Sequence, residues 1–307
     1  MIAGDMSKPT VLVSLTTNDN DYQIEQAASA EEAAKRAGVQ LQIIYAENDA
    51  INQSQQLLKA IQAPVGTRPA AVVFEPVGTG LPQVAKAAVG AGVGWVILNR
   101  EVDYLAELRR GAKVPVFGVT TDHTEVGRIQ GRQIAALLPQ GGSVLYIQGP
   151  SGSDAAQQRT NGMYETKPDN VQVRAMKAQW TEASAYQAVS SWLRLSTSRD
   201  VTFGVISAQD DSMAMGARKA FQEQAGANRD KWLSLPFIGC DGMPETGQSW
   251  VRQGLLAATV VVPANAGQAI EMLAQALAKG TQPAERTLTV PRSHPAVESL
   301  SRRTVKV

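Results

Sequence analysis

The sequence predicts an α/β protein built from two similar doubly wound parallel-sheet domains. Short β-branched runs alternate with Ala-rich amphipathic stretches along the whole chain, the pattern of right-handed βαβ units. The β-branched runs are apolar on nearly every residue, as expected of parallel strands covered on both faces. The alternation runs through once by about Phe117 and then begins again, with no linker between the two passes. A chain of 307 residues suits two domains of roughly 100–200 residues each.

The first pass offers strands over 10–15, 41–46, 71–74, 95–99 and 114–119. The second offers 143–148, 173–178, 203–207, 236–240, 257–262 and 287–290. Between them lie helical patterns. Residues 22–37 place Ile24, Ala27, Ala28, Ala34 and Ala37 roughly on one side, and Gly38 ends the run. Residues 81–90, 124–138, 184–193, 212–224 and 266–279 behave in the same way, and a further helix carries Arg159.

Composition narrows the function. Hydrophobic residues at 44% and charged residues at 19% are the balance of a soluble globular protein. The net charge of +1 gives no electrostatic case for a nucleic-acid or membrane partner. A single cysteine, Cys240, excludes an internal disulfide. No apolar run reaches the length of about 18 residues that a membrane-spanning helix needs. The opening residues MIAGDMSKP lack the basic and apolar regions of a signal peptide. The expectation is therefore either an exported protein whose leader has been removed or a cytoplasmic protein.

Enzyme readings find little support. The two histidines, His123 and His294, sit away from the strand ends where an open α/β sheet holds its ligands. No His/Cys/carboxylate spacing suggests a metal site. The run Gly149-Pro150-Ser151-Gly152-Ser153 lacks the last glycine of a nucleophile elbow and reads instead as a helix N-terminus with free N–H groups. The glycines of 90–94 precede a strand, unlike a dinucleotide fingerprint. No catalytic residue, metal or cofactor is expected.

The strand ends carry polar and aromatic side chains again and again. Thr16, Asn20, Tyr22 and Gln23 follow the first strand, Glu75 the third, and Asn99 and Arg100 the fourth. In the second pass Arg159, Trp180, Asp210 and Asp241 occupy the matching places. Ionised groups make strong directional hydrogen bonds of the kind hydroxyls accept and donate, and aromatic faces pack against the apolar face of a sugar ring. Helix capping is the alternative for the Asn, Asp and Ser residues among them, and pairing with Glu165 is the alternative for Arg159.

Six segments, in order, carry a resemblance: VLVSLTTNDNDYQ (11–23), WVILNRE (95–101), VTTDHTEVGRIQGRQIA (119–135), VLYIQGPSGSDAAQQRTNGM (144–163), SAQDDSMAMGARKAF (207–221) and FIGCDGMPETG (237–247). Together they resemble the ribose- and galactose-binding solute receptors of ABC transporters, which share the type I periplasmic binding protein-like fold with the effector domains of lac-repressor-type regulators. The regulators place a DNA-binding headpiece ahead of the first strand. Thr10 has nine residues before it, so a receptor is expected rather than a repressor.

The resemblance implies a three-crossing hinge near 119–122, 262–265 and 291–293. One subdomain would comprise 1–119 plus 264–291 and the other 120–263 plus 292–307, with a ligand cleft between them. It also implies roles. Asn20 and Tyr22 fall where the family has an asparagine and a ring-stacking phenylalanine, and Gln23 falls on a second aromatic position. Glu75 falls on a polar position and Asn99 on a hydroxyl-binding aspartate, with Arg100 beside it. Arg159 and Asp241 match an arginine and an aspartate of the second domain, Trp180 replaces a stacking phenylalanine, and Asp210 sits on an amide position. Cys240 and Val262 depart from an aromatic and a glutamine, which puts ribose itself in doubt. The implied function is reversible binding of a sugar or polyol by a monomeric, periplasmic receptor that serves an ABC permease. A cytoplasmic ligand-sensing module of the same fold is the alternative.

Overall fold

The computed structural model describes residues 8–78, 80–198 and 201–300. From the N-terminus the chain forms β1 (Thr10–Leu15), α1 (Asp21–Ala37), β2 (Gln40–Tyr45), α2 (Ala50–Ile61), β3 (Ala71–Phe74), α3 (Pro82–Gly90), β4 (Gly94–Leu98), α4 (Leu105–Arg109) and β5 (Val116–Thr121). It continues with α5 (His123–Leu137), β6 (Gly142–Gln148), α6 (Asp154–Thr166), β7 (Val171–Lys177), α7 (Glu182–Leu193), β8 (Val205–Ala208), α8 (Asp211–Gln224), α9 (Arg229–Leu233), β9 (Phe237–Asp241), α10 (Gly247–Arg252) and β10 (Ala258–Val261). The last elements are α11 (Ala266–Lys279), β11 (Arg286–Thr289), β12 (Arg292–His294) and α12 (Val297–Leu300).

Two compact units result. Among the described residues, 8–121 and 264–289 form the first, and 122–263 with 290–300 form the second. The chain thus changes unit at 121/122, 263/264 and 289/290. The last change comes ahead of the stretch 291–293, whose Ser293 lies in β12 within the sheet of the second unit.

The first unit holds a six-stranded sheet in the order β11-β5-β4-β3-β1-β2. All its pairings are parallel. Successive residues of a strand face opposite sides, and both sides are covered. Val11, Val13 and Leu15 pack with Ala30, Ala34, Ile270 and Leu273 of α1 and α11. Leu12, Val72 and Phe74 pack with Leu57, Val84 and Ala88 of α2 and α3. Small residues let α1 lie close to its neighbours. Its end is set by Gly38, whose φ of 70° is the left-handed cap conformation that glycine adopts without penalty.

The second unit repeats the order as β12-β10-β9-β8-β6-β7. One face is filled by Leu145, Ile147, Val189, Met213 and Phe221, the other by Ile134, Val144, Tyr146, Met163 and Leu300. Here the last strand runs antiparallel to β10. Sequence reasoning missed β12 because Arg292-Ser293-His294 has no apolar run to signal it.

Three other expectations are corrected. The strands are not all buried on both faces: β2, β7 and β11 alternate with exposed or half-exposed residues because each lies at or beside a sheet edge. Helix α2 was not anticipated, since its apolar residues crowd into its second half after the polar run Asn52-Gln53-Ser54-Gln55-Gln56. The short helices α4, α9, α10 and α12 are also additions, too brief for a periodic pattern to show.

Helices α5 and α6 meet backbone to backbone. A Cβ at Gly127 would lie 2.0 Å from the Arg159 carbonyl oxygen, and one at Gly162 would lie 2.0 Å from that of Thr124. Neither obstacle is a flexible side chain, so an added methyl must push the helices apart. Gly127→Ala is expected to destabilise the protein by about 1–3 kcal/mol, seen as a lower urea midpoint at unchanged slope. Gly152→Ala, which meets open space, is the control and is expected to change little.

Candidate functional site

In the first unit the strand ends are braced by side-chain amides. Asn20 caps α1, its Oδ1 accepting from the Gln23 backbone N–H at 2.9 Å. That turn presents Tyr22 and buries Gln23. Gln23 Oε1 accepts from Thr16 N at 3.2 Å, and Gln23 Nε2 donates to Glu75 Oε2 at 2.9 Å. Gln53 of α2 fixes the Glu75 backbone, donating to its carbonyl at 2.8 Å while accepting from Val77 N at 2.9 Å.

A second network centres on Asn99. This residue follows β4 with a φ of 55°, in the left-handed region that Asn tolerates better than most residues. Asn99 Nδ2 donates to the Tyr22 hydroxyl at 2.9 Å, and its Oδ1 accepts from Asn265 Nδ2 at 2.6 Å. Gln26 closes the circuit, donating to Asn265 Oδ1 at 2.9 Å and accepting from Ala266 N at 2.8 Å. The Tyr22 hydroxyl can also donate in return, to Asn99 Oδ1 at 3.2 Å. Arg100 reaches back to the Gly78 carbonyl.

In the second unit the central group is Gln209, wholly buried at the end of β8. Its amide nitrogen lies 2.9 Å from the Tyr146 hydroxyl, 2.9 Å from the Ala156 carbonyl and 3.0 Å from Thr160 Oγ1. Its Oε1 accepts from Gly149 N at 2.8 Å, and its backbone carbonyl accepts from Arg159. The Gly149 N–H is therefore committed to Gln209. Ser153 caps α6, accepting from Ala156 N at 3.3 Å.

Arg159 is buried, and its guanidinium lies 3.5 Å from Asp241 Oδ1. The guanidinium carbon also stands 5.5 Å from the ring centre of Trp180, a cation–π distance. The suggested pairing with Glu165 does not form: Glu165 accepts instead from Arg128 Nε at 2.7 Å. Trp180 packs over Gly149, where any Cβ would strike the indole at 2.2 Å, and its edge joins the core of α7 and α8. Asp210 caps α8, accepting from Met213 N at 2.6 Å. Cys240, expected at the end of a strand, is buried within β9, and burial pushes its thiol pKa up.

The structure thus gathers Thr16, Asn20, Tyr22, Gln23, Glu75 and Asn99 into bonded groups in one unit. In the other it gathers Arg159, Trp180 and Asp241, with Asp210 next to Gln209. Asn20 and Asp210 each spend one oxygen on the capping role weighed for them. Besides Asn99, Trp180 and Asp241 have positive φ, of 60° and 92°, which is costly for non-glycine residues and gathers at ligand sites. Sequence reasoning missed the braces Gln26, Gln53 and Asn265 and gave Gln209 no role. For Gln26 the signal was a polar residue among the alanines of α1.

The periplasmic binding protein domain matches residues 11–282. The chain belongs to that family. It is a family of binding proteins, not enzymes. The D-allose-binding periplasmic protein of Escherichia coli is 28% identical over 261 residues, covering 83% of this chain and 80% of the relative. Among solved structures, a periplasmic solute binding protein from Actinobacillus succinogenes with bound D-allose superimposes with a TM-score of 0.79 at 22% identity, covering 96% of this chain and all of that one. A Caulobacter myo-inositol binding protein gives a TM-score of 0.76 at 22% identity over 95% of each chain. Among the described residues no helix is long and apolar enough to cross a membrane.

Gln209 holds three separate segments of the second unit. Gln209→Leu would leave the buried Gly149 N–H and Tyr146 hydroxyl without this partner, each at about 1–3 kcal/mol. The variant is expected to unfold at lower urea than wild type and to lose amide-exchange protection at Gly149.

Proposed function

We propose that the protein is the solute receptor of an ABC transporter and binds a neutral sugar or polyol with the strand-end residues of both units. The observation that carries this reading is the group formed by Arg159, Asp241 and Trp180. A buried arginine is paired with a carboxylate at 3.5 Å and laid near an indole at 5.5 Å. The charges within that group balance, so it calls for a ligand of hydroxyls rather than one of net charge. Hydroxyls can bond to guanidinium and carboxylate at once, and the apolar face of a sugar ring suits an aromatic surface.

The relatives support the ligand class. One is named for D-allose and one for myo-inositol, a sugar and a polyol. In this proposal Asn20, Tyr22, Glu75, Asn99 and Arg100 act from the first unit. Arg159, Trp180, Asp210 and Asp241 act from the second, and closure around the ligand produces the form that a permease recognises. Thr16 and Gln23 act through Glu75, by holding its carboxylate in place. The periplasmic names of the relatives support a site of action outside the cytoplasmic membrane, and fractionation of cells that express the natural gene tests it.

A thermal-shift screen against D-allose, D-ribose, D-galactose and myo-inositol tests the ligand class, and no stabilisation by any sugar or polyol would overturn it. Arg159→Ala removes one or two charge-assisted hydrogen bonds of about 1.5–3 kcal/mol. It is expected to weaken the best ligand roughly 10- to 200-fold in titration calorimetry, and an unchanged affinity would take Arg159 out of the site.

A further inference from the structure

Two aspartates stand together at the start of α8 and have different fates. Asp210 caps the helix. Asp211 is turned inward and is 4% exposed. Its Oδ2 accepts from Gly242 N at 2.7 Å, while its Oδ1 makes no hydrogen bond to a described residue. Two glycines make the space for it. A Cβ at Gly239 would lie 2.1 Å from Oδ1, and a Cβ at Gly247 would lie 2.0 Å from Oδ2. Neither glycine has a positive φ, so the backbone does not demand them. The carboxyl group does.

Among the described residues no cation is paired with it, and His294 of β12 stands opposite Thr259 in the strand pairing. Asp241 and Cys240 stand on β9, and Asp210 lies on its own helix. Glu245, in the loop ahead of α10, is exposed. Thr259 of β10 contributes an uncharged, buried hydroxyl near enough to favour the ionised carboxyl, though not in good hydrogen-bond geometry. The neighbouring cation, Arg159, is engaged with Asp241. A carboxylate withdrawn from water with one well-formed N–H bond, one poorly placed hydroxyl and no paired counter-ion is strongly disfavoured, whereas a carboxylic acid is not.

We infer that Asp211 is held as a neutral carboxylic acid and is the positioning residue for the turn that carries Asp241. That turn has two successive left-handed residues, Asp241 at φ 92° and Gly242 at φ 61°. The bond from Gly242 N to Asp211 holds the second of them. Burial first, and the charge of Asp241 next, raise the Asp211 pKa well above the ordinary carboxylate value. The acid proton offers Oδ1 a partner in the Thr259 hydroxyl. The significance of the turn for ligand binding rests on the function proposed above, but the protonation state does not.

The sign of the pH dependence follows. A group whose pKa is raised by folding contributes its full stability below the unfolded value and loses it as pH rises through the folded one. Asp211→Asn keeps the shape and cannot ionise. Its melting temperature relative to wild type is therefore expected to rise by at least about 2 °C between pH about 5 and about 9. Infrared difference spectra, wild type minus Asp211→Asn at neutral pH, are expected to contain a protonated-carboxyl C=O band. A pH-independent difference in melting temperature together with absence of that band overturns the neutral acid.

Positioning is read separately, by amide exchange at Gly242 and by affinity. Asp211→Asn is expected to keep the Gly242 amide protected. Asp211→Ser, which no longer reaches it, is expected to lose that protection and to weaken D-allose, D-ribose or myo-inositol, whichever binds wild type, at least about tenfold. Protection and affinity unchanged in Asp211→Ser overturn the positioning role. If neither these probes nor any other sugar or polyol binds wild type, the function proposed above fails, and the infrared and exchange results still decide the state and role of Asp211.

Discussion

Parallel strands that end inside a protein leave peptide groups stranded away from water, and this chain depends on how those groups are bonded. A buried N–H or carbonyl without a partner costs about as much as a lost hydrogen bond. Glutamine and asparagine meet the need because one side chain both donates and accepts. Gln53 bonds the Glu75 carbonyl and Val77 N–H, Gln130 donates to the Ala208 carbonyl at 2.7 Å, and Gln133 reaches the Thr259 carbonyl at 3.2 Å. Each unit therefore carries buried glutamines on helices whose other buried residues are mostly apolar.

These braces also fix the residues proposed to face the ligand. Glu75 is held through both its backbone and its carboxylate, Tyr22 through its hydroxyl, and Arg159 through the Gln209 carbonyl. Side chains already fixed in place lose little freedom when a ligand arrives, which favours affinity. Asn99 is fixed in the same way, between the Tyr22 hydroxyl and the Asn265 amide.

Much of this was legible in the sequence, and the rest was hidden for physical reasons. The central strands announce themselves because burial on two faces demands apolar residues throughout. Edge strands such as β12 need only one covered face, and Arg292-Ser293-His294 gives no such signal. The strand-end residues could be read one by one, since alternation fixes where strands stop. Their partners could not. Gln26 and Asn265 are separated by 239 positions, and nothing local to either shows that the two amides meet. Asp211 was visible beside Asp210, but only the three-dimensional packing of Gly239 and Gly247 distinguishes a cap from a buried acid.

The lone thiol has a practical consequence. Cys240 is sealed inside a central strand and its ionisation is suppressed, so the thiolate that reacts with maleimides and disulfide reagents is scarce. The folded protein is thereby a blank background for dye chemistry. A cysteine introduced on an exposed helix would take up a fluorophore selectively with Cys240 left in place, so motions of this receptor can be followed optically without first altering its interior.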